Sequence, residues 1–381
     1  MPNHFFSIGF RPFFLGAAWL AVGWMILWLL HLHAGIPQLE MIQTPVWHGH
    51  EMLFGFGIAV IAGFLLTAIK NWTGLEPVQR PELIGLFLLW VIARLAFILI
   101  DWISLVAISL LDLAFLFWLA IIVGRTLIRA GNRRNYSLIL ILAGFWCLNL
   151  VMHLSFHGWF PGAAYPALEI TVWLVCILLV FMGGRVIPFF TDAKLAAGTV
   201  RQWPWLNWAS SLATLAIIPT YLVAGRTPIL AVILLFAAVM TLARLLAWRP
   251  WRTVRTPLLW ILHLGYLWLP AGFALQAAHL LGADLAWSVG VHALMVGAMS
   301  SIILGMMARV ALGHTGRPLV VTAPISMSFI AISLAGVSRV SAPLLGLPWL
   351  VTVAGLLWIL AFLLYIFVYT PILIQPRADH G

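Results

Sequence analysis

Charged residues are scarce in this sequence: Asp, Glu, Lys and Arg make up 8% of its 381 residues, whereas 64% are hydrophobic. A soluble globular domain carries roughly a quarter of charged residues, so this composition excludes that class and indicates an integral membrane protein. Cysteine is almost absent as well. The two cysteines, Cys147 and Cys176, exclude a disulfide framework, a cysteine-based zinc set and a C-x-x-C-H haem attachment.

Long apolar runs fill most of the chain. At about 20 apolar residues per crossing, they predict an all-α integral membrane protein, a bundle of about twelve transmembrane helices that forms a single transmembrane domain over residues 1–381. No predicted loop is long enough for a sizeable soluble domain. The predicted spans are 12–32, 47–69, 82–100, 104–124, 136–156, 166–188, 205–224, 228–247, 257–281, 286–312, 320–340 and 347–370.

The net charge of +10 does not come from a basic patch, so no nucleic-acid partner is expected. The basic residues stand singly between apolar runs, and nearly all of them fall on one side of the predicted bundle. Arg226 and Arg339 lie on the other side, and Arg94 lies inside a span. Because positive residues collect on the cytoplasmic side, both termini are predicted to be cytoplasmic.

Histidines concentrate near the outer ends of several spans. A lone intramembrane histidine is more often a hydrogen bonder between helices than a ligand, but several at one depth favour a metal or haem site because an ionisable group in hydrocarbon needs a partner. Neutral imidazole is the usual ligand of copper and haem iron. The candidate metal ligands are His48, His50, His153, His157, His292 and the deeper His263.

The spacing of these histidines limits how they can act. His48 and His50 are two residues apart, which places them about 200° apart around a helix, so they would serve two different centres. His153 and His157, four apart, share one face and could bind one metal. Glu51, next to His50, could orient a ligand or carry a proton, and is the candidate catalytic residue.

Two charged residues lie inside the third and fourth spans. Asp112 is deep enough to require a partner. Arg94 on the neighbouring span is the expected one.

A segment that begins at His50 recurs near the other end of the chain. The repeated spacing joins His50, Gly55, Gly63, Thr73 and Gly74 to His292, Gly297, Gly305, Thr315 and Gly316. We interpret this as an internal repeat. The small residues in both helices would let a second helix, or a flat cofactor, approach the backbone closely.

Three arginines in apolar surroundings are candidate partners of haem propionates, because the guanidinium offers a fork of donors to a carboxylate. They are Arg185, Arg309 and Arg317. The positive-inside bias explains Arg309 and Arg317 equally well. Arg185 lies in the motif GGRVIPFFT, where Pro188 is expected to end the sixth span.

Six ordered motifs resemble the NnrS family of bacterial membrane proteins: FSIGFRPFFLGA, WHGHEMLFGFG, GFLLTAIKNWTG, GGRVIPFFT, HALMVGAM and ARVALGHTGRPL. The resemblance implies a twelve-helix protein of the bacterial inner membrane that contains haem and copper and is associated with nitric oxide metabolism. Residues in the matching segments, expected to serve haem b and copper, are His48, His50, Glu51, Arg185, His292, Arg309, His314 and Arg317.

A broader analogy exists with haem-copper oxidases, which also use twelve helices with histidines towards the outer side. Here the sixth and seventh spans contain no histidine, so the copper-ligand pattern of those enzymes cannot be transferred. A shared architecture would not establish function in any case.

Two hypotheses of different class follow. The first is an oxidoreductase with haem b and copper held among spans 2, 5, 9 and 10, which binds and turns over nitric oxide or a similar small gas, with Glu51 or water supplying protons. Its electrons would come from an unknown donor, a quinol or a cytochrome. The alternative is a secondary transporter, or a carrier that hands haem or metal to another protein. A purified protein without a Soret band would favour transport.

Overall fold

The structure, a computed structural model, describes residues 4–34, 45–195 and 198–378. This part of the chain is all-helical and contains no strand. Twelve helices are long and apolar enough to cross a membrane, which confirms the predicted bundle. They are α1 (Phe10–His33), α2 (Pro45–Thr73), α3 (Arg80–Ile98), α4 (Leu105–Arg129), α5 (Arg133–Phe156), α6 (Ala164–Leu195), α7 (Pro204–Ala224), α8 (Pro228–Ala247), α9 (Pro257–Leu280), α10 (Trp287–His314), α11 (Ala323–Leu344) and α12 (Trp349–Ile374).

The helices group into two compact units. Unit 1 comprises residues 1–171, 310–318 and 366–381, and thus contains α1 to α5 with the beginning of α6 and the ends of α10 and α12. Unit 2 comprises residues 172–309 and 319–365, which include α7, α8, α9, α11 and most of α6, α10 and α12.

Local sequence signals explain several helix ends. Proline occupies the first turn of α3, α7, α8, α9 and α11, where its missing N–H costs no intrahelical hydrogen bond. At the end of α2, Gly74 adopts φ 72°, and its N–H donates to the Lys70 carbonyl at 2.8 Å. Glycine is favoured there because a side chain is strained in this left-handed conformation.

Helix α6 is longer than predicted. The expectation that Pro188 ends it is wrong, since the helix continues to Leu195. Proline removes one backbone hydrogen bond, but an unwound segment would leave several polar groups unsatisfied in hydrocarbon, so transmembrane helices tolerate proline. The Thr191 hydroxyl also donates to the Ile187 carbonyl at 2.8 Å.

Both helices of the internal repeat contain a π-helical segment. These segments are Glu51–Gly57 in α2 and Ala293–Met299 in α10. Each begins directly after the repeated histidine, His50 or His292, so the backbone supports the repeat inferred from the sequence. Single π turns inside α-helices often occur at functional sites.

The small-residue positions of the two repeated helices are covered by side chains of the chain itself. In unit 1, a Cβ at Gly63 would lie 2.9 Å from the Phe14 ring. In unit 2, a Cβ at Gly297 would overlap the Trp268 ring. At these two positions the small residues serve close helix packing.

Candidate metal centre

Helix α2 places two polar side chains where its backbone changes from α to π. His50 and Glu51 are both fully buried. The His50 Nδ1 atom lies 3.0 Å from Glu51 Oε1, and its Nε2 atom lies 2.9 Å from Asn149 Oδ1 and 3.3 Å from Asp112 Oδ2. Both ring nitrogens of His50 therefore face oxygen acceptors.

His153 lies one turn beyond Asn149 on α5 and faces the same carboxylate. Its Nε2 atom is 2.9 Å from Asp112 Oδ2, and its Nδ1 atom is 2.9 Å from Ser109 Oγ. The Ser109 hydroxyl donates to the Leu105 carbonyl at 2.8 Å, so its oxygen accepts the proton on His153 Nδ1. A neutral His153 would then direct its Nε2 lone pair at a carboxylate oxygen, which requires a cation between them or a further proton.

Arg94 joins the two carboxylates. It forms ion pairs with Glu51 and with Asp112, and all three side chains are at most 3% exposed. The predicted pairing of Arg94 with Asp112 is thus confirmed. The second oxygen of Glu51 accepts a hydrogen bond from Trp24 Nε1 at 2.7 Å.

The network carries an unbalanced charge. Glu51 and Asp112 contribute two negative charges, and Arg94 contributes one positive charge. With neutral imidazoles the net charge is negative, and an uncompensated buried charge is strongly unfavourable. One further positive charge, a proton or a metal ion, would balance this site.

Three of these side chains could hold a metal ion together. Among the described residues, one group of this kind is found: His50, Asp112 and His153, whose ligand atoms lie within 4.8 Å of one another. Imidazole and carboxylate donors suit copper, zinc and iron. Glu51 and Ser109 fix the ring nitrogens that face away from the common point, as outer partners of metal-binding histidines do.

Aromatic rings close off the centre. The His50 ring lies 5.2 Å from the rings of Phe54 and Phe97 and 6.2 Å from that of Phe156, measured between centroids. Such walls keep water out and lower the local dielectric, which strengthens every charge interaction inside.

The other two histidines predicted in this region lie apart from the three ligand atoms. His48 stacks on Trp28 with 4.3 Å between ring centroids, on a different side of α2 from His50, as the two-residue spacing predicted. His157 Nε2 lies 3.1 Å from Ser109 Oγ. It therefore reaches the centre through that hydroxyl.

His314 and Arg317 belong to unit 1 but lie near the opposite end of α2. The His314 ring is 5.8 Å from that of Phe10, and the Phe10 N–H donates to Thr67 Oγ1 at 3.1 Å. Thr67 is nearly five helical turns from His50, or about 25 Å. The structure therefore does not bring His314 and Arg317 together with the His50 centre.

In unit 2, the two predicted histidines make different hydrogen bonds. His292 Nδ1 lies 2.7 Å from the Ser288 carbonyl, and the ring is half-exposed. His263 is buried, and its Nε2 lies 2.9 Å from Thr191 Oγ1. His263 Nδ1 has no hydrogen-bond partner in the part of the chain that the structure describes.

The two predicted arginines of unit 2 both lie over aromatic rings. The Arg309 guanidinium carbon is 3.7 Å from the centroid of Phe190, and that of Arg185 is 4.1 Å from the centroid of Phe181. A ring face attracts a cation. These contacts hold both side chains near the later part of α6.

Sequence reasoning did not include Asp112 in the metal group, and it did not identify Ser109. The available signal was Asp112 itself, a carboxylate deep in a span beside two helices that carry histidines. One arginine was expected to satisfy it. In the structure, Asp112 also faces two imidazoles and the Asn149 amide.

Comparison with known proteins agrees with the motifs. A family model described as NnrS protein matches residues 4–377, nearly the whole chain. None of the curated proteins matches the chain significantly. With twelve helices able to cross a membrane and a family match of this length, the chain is a multi-pass membrane protein and belongs to the NnrS family.

Proposed function

We propose that this protein contains haem b and copper, lies in the bacterial inner membrane, and binds nitric oxide and reduces or detoxifies it. The observation that carries the proposal is the buried group of His50, Asp112 and His153 within a network that lacks one positive charge. The NnrS family match supports the link to nitric oxide, and the two cofactors are what the resemblance of the motifs implies.

The charge of the network favours a particular oxidation state. A cuprous ion brings one positive charge, which equals the deficit left by Glu51, Asp112 and Arg94. Zinc or cupric copper would leave one positive charge in excess. Copper at this group is therefore expected to be stabilised in its reduced form, because a buried net charge is costly.

The surrounding residues position the ligands. Glu51 has both oxygens engaged, by Arg94 and His50 on one side and Trp24 on the other. These contacts favour a fixed carboxylate that orients His50 over one that delivers protons. When bound, copper and haem supply the redox chemistry, and the electrons would come from a quinol or a cytochrome.

The remaining candidate residues are proposed as haem contacts. They are His48, His263, His292, Arg185, Arg309, His314 and Arg317. Within unit 1, His48 begins α2 and His314 lies near its opposite end, so these two residues are not proposed for one haem pocket.

The proposal can be tested with nitric oxide on the purified, reduced protein. Nitric oxide is expected to change the Soret absorption and the EPR spectrum. His50→Ala should lower copper content and alter the response, whereas His33→Ala, at the exposed end of α1, should behave as the unmodified protein. A colourless protein whose spectra do not respond to nitric oxide would contradict the proposal.

One observation favours a second candidate, a secondary transporter or a carrier of haem or metal. The chain contains an internal repeat with matching π segments, and many transporters are built from such repeats. Stable haem and copper that survive purification would argue against this alternative.

A further inference from the structure

The two repeats surround their histidine with different side chains. At the offset that relates His50 to His292, Glu51 corresponds to Ala293 and Arg94 to Gly336. The buried positions of α3 and α11 agree with this offset. Leu83, Leu86, Trp90 and Ala93 are buried on α3, and so are the corresponding Ile325, Ser328, Ile332 and Ala335 on α11.

No acidic residue occurs in α9, α10, α11 or α12. The second repeat therefore contains no counterpart to the carboxylates that surround His50. A bare metal ion beside His292 would bring charge into hydrocarbon without compensation.

The tautomer of His292 suits a ligand role. The Ser288 carbonyl can only accept, so the contact of 2.7 Å requires a proton on His292 Nδ1. In the neutral ring, Nε2 then carries the lone pair that binds a metal, and the bond to the carbonyl fixes the ring orientation.

The face of α10 that carries this histidine is open, whereas the corresponding face of α2 is closed. On α2 the buried residues are His50, Leu53 and Phe54. On α10 the corresponding half-exposed residues are His292, Met295 and Val296. This side of α10 is therefore only partly covered by the described part of the chain, whereas the corresponding side of α2 is buried.

Arg339, which is half-buried, occupies the position in the second repeat that Phe97 occupies in the first. The Phe97 ring contacts His50, with 5.2 Å between the ring centroids. In unit 2, Gly336 packs against Gly297, since a Cβ on Gly336 would lie 3.2 Å from Gly297 Cα. Measured along the helix axes from this glycine contact, Arg339 lies about 5 Å away on α11 and His292 about 7 Å away on α10. Both lie towards the same end of the helix pair.

Among the described residues, no carboxylate is found in an ion pair with Arg339, whereas Arg94 and Arg125 both pair with acids. A half-buried arginine near the end of a span, without a carboxylate partner, has its charge only partly compensated. A ligand that carries its own carboxylate would balance this charge with the bidentate geometry that arginine favours.

We propose that His292 would bind haem iron and that Arg339 would pair with a haem propionate, whereas His50, Asp112 and His153 would hold copper. This assignment rests on the proposed function. The porphyrin dianion neutralises ferrous iron, so His292 needs no carboxylate, and the propionates supply the negative charge that Arg339 requires. Copper, which has no porphyrin to neutralise it, is better compensated beside the carboxylates of Glu51 and Asp112.

The test measures haem and copper separately in purified protein. His292→Ala should lose most of the haem, seen as Soret absorption and haem extracted per chain, and keep its copper. His279→Ala is the matched control, because His279 also bonds a carbonyl through Nδ1, that of Leu285 at 2.7 Å, but lies at the end of α9. Equal haem in both variants would overturn the assignment.

Two further variants guard against misfolding. His292→Met keeps a ligand atom and should shift the Soret band and the reduction potential of any haem ligated there; an unchanged spectrum overturns the assignment. Arg339→Gln should release haem to apomyoglobin several-fold faster, whereas Arg339→Lys and Arg226→Gln should not. An unmodified protein without haem would instead overturn the proposed function.

Discussion

At the residue scale, Arg94 is the side chain on which the buried centre depends. It is 3% exposed and bridges two carboxylates that would otherwise repel each other in hydrocarbon. Removing one member of a buried ion pair leaves uncompensated charge, which costs more than the pair itself contributes. The pairing with Asp112 was predictable because both charges lie inside apolar spans. The convergence of His50 and His153 on the same carboxylate depends on how α2, α4 and α5 pack, which no local pattern encodes.

Replacing Arg94 tests this role. Arg94→Ala should destabilise the protein by about 3–5 kcal/mol and lower its melting temperature in detergent, because Glu51 and Asp112 lose their shared cation. Arg80→Ala, at an exposed position that begins α3, should leave the melting temperature nearly unchanged. Equal melting temperatures of the two variants would show that the ion pairs contribute little.

Ser109 tests the orientation of the second imidazole. Ser109→Ala removes the acceptor for His153 Nδ1, so the ring loses its fixed orientation and copper affinity should fall about 10- to 100-fold. The measurement is copper binding by competition with a chelator. The matched control is Ser104→Ala, which removes the cap of the same helix but no contact of the centre. If Ser104→Ala lowers the copper affinity as much as Ser109→Ala does, the loss results from a less stable α4 and not from the freed His153 ring.

At the element scale, the twelve helices followed from apolar length alone, but their irregularities did not. The π segments after His50 and His292 add a residue to a turn without a distinctive sequence signal. The passage of α6 through Pro188 depends on its surroundings, since the same proline would end a helix exposed to water. The repeat could be recognised from the sequence because the segments that begin at His50 and His292 share the same spacing of histidine and glycine, although most other side chains differ.

Helix packing in unit 2 depends on one buried arginine and one glycine. Arg244 on α8 donates to the Val180 carbonyl of α6 at 3.0 Å and to Asn207 of α7 at 2.8 Å. Its guanidinium occupies the space above Gly184, where a Cβ would overlap it. Three helices are joined at this point.

Gly184→Ala is therefore expected to displace the Arg244 guanidinium and lower the melting temperature by several degrees, as overpacking of a buried contact costs about 1–3 kcal/mol. Gly124→Ala is the control, because its Cβ would meet only Ile139 at 3.9 Å. Thermal unfolding of both variants in detergent distinguishes the two sites. Equal stability would mean that the arginine can move at little cost.

At the scale of the whole molecule, the charge distribution predicts the orientation in the membrane. In the topology predicted from twelve crossings, nearly all basic residues fall on the side that holds both termini, whereas Arg226 and Arg339 fall on the other. The same asymmetry predicts that His50, His153 and His292 lie towards the outer side of the bilayer. This orientation depends on counting crossings, so it was accessible from sequence once twelve spans were recognised.

Reporter fusions test the orientation. Green fluorescent protein fused to either terminus should fluoresce, and alkaline phosphatase fused there should be inactive, because both termini are predicted to be cytoplasmic. The control is alkaline phosphatase inserted near Arg226, between α7 and α8, which should be active. Phosphatase activity at either terminus would contradict the predicted topology.

The copper content of the purified protein tests the buried metal centre most directly. We expect about one copper ion per chain at the group of His50, Asp112 and His153. Because the cuprous ion balances the buried charge, this copper should be reduced, and it should be silent in EPR because the cuprous ion has no unpaired electron. The double substitution Asp112→Asn and His153→Ala should remove this copper while the haem remains. A protein that retains the same copper after both substitutions, or that never contains copper, would show that this group is not a copper site.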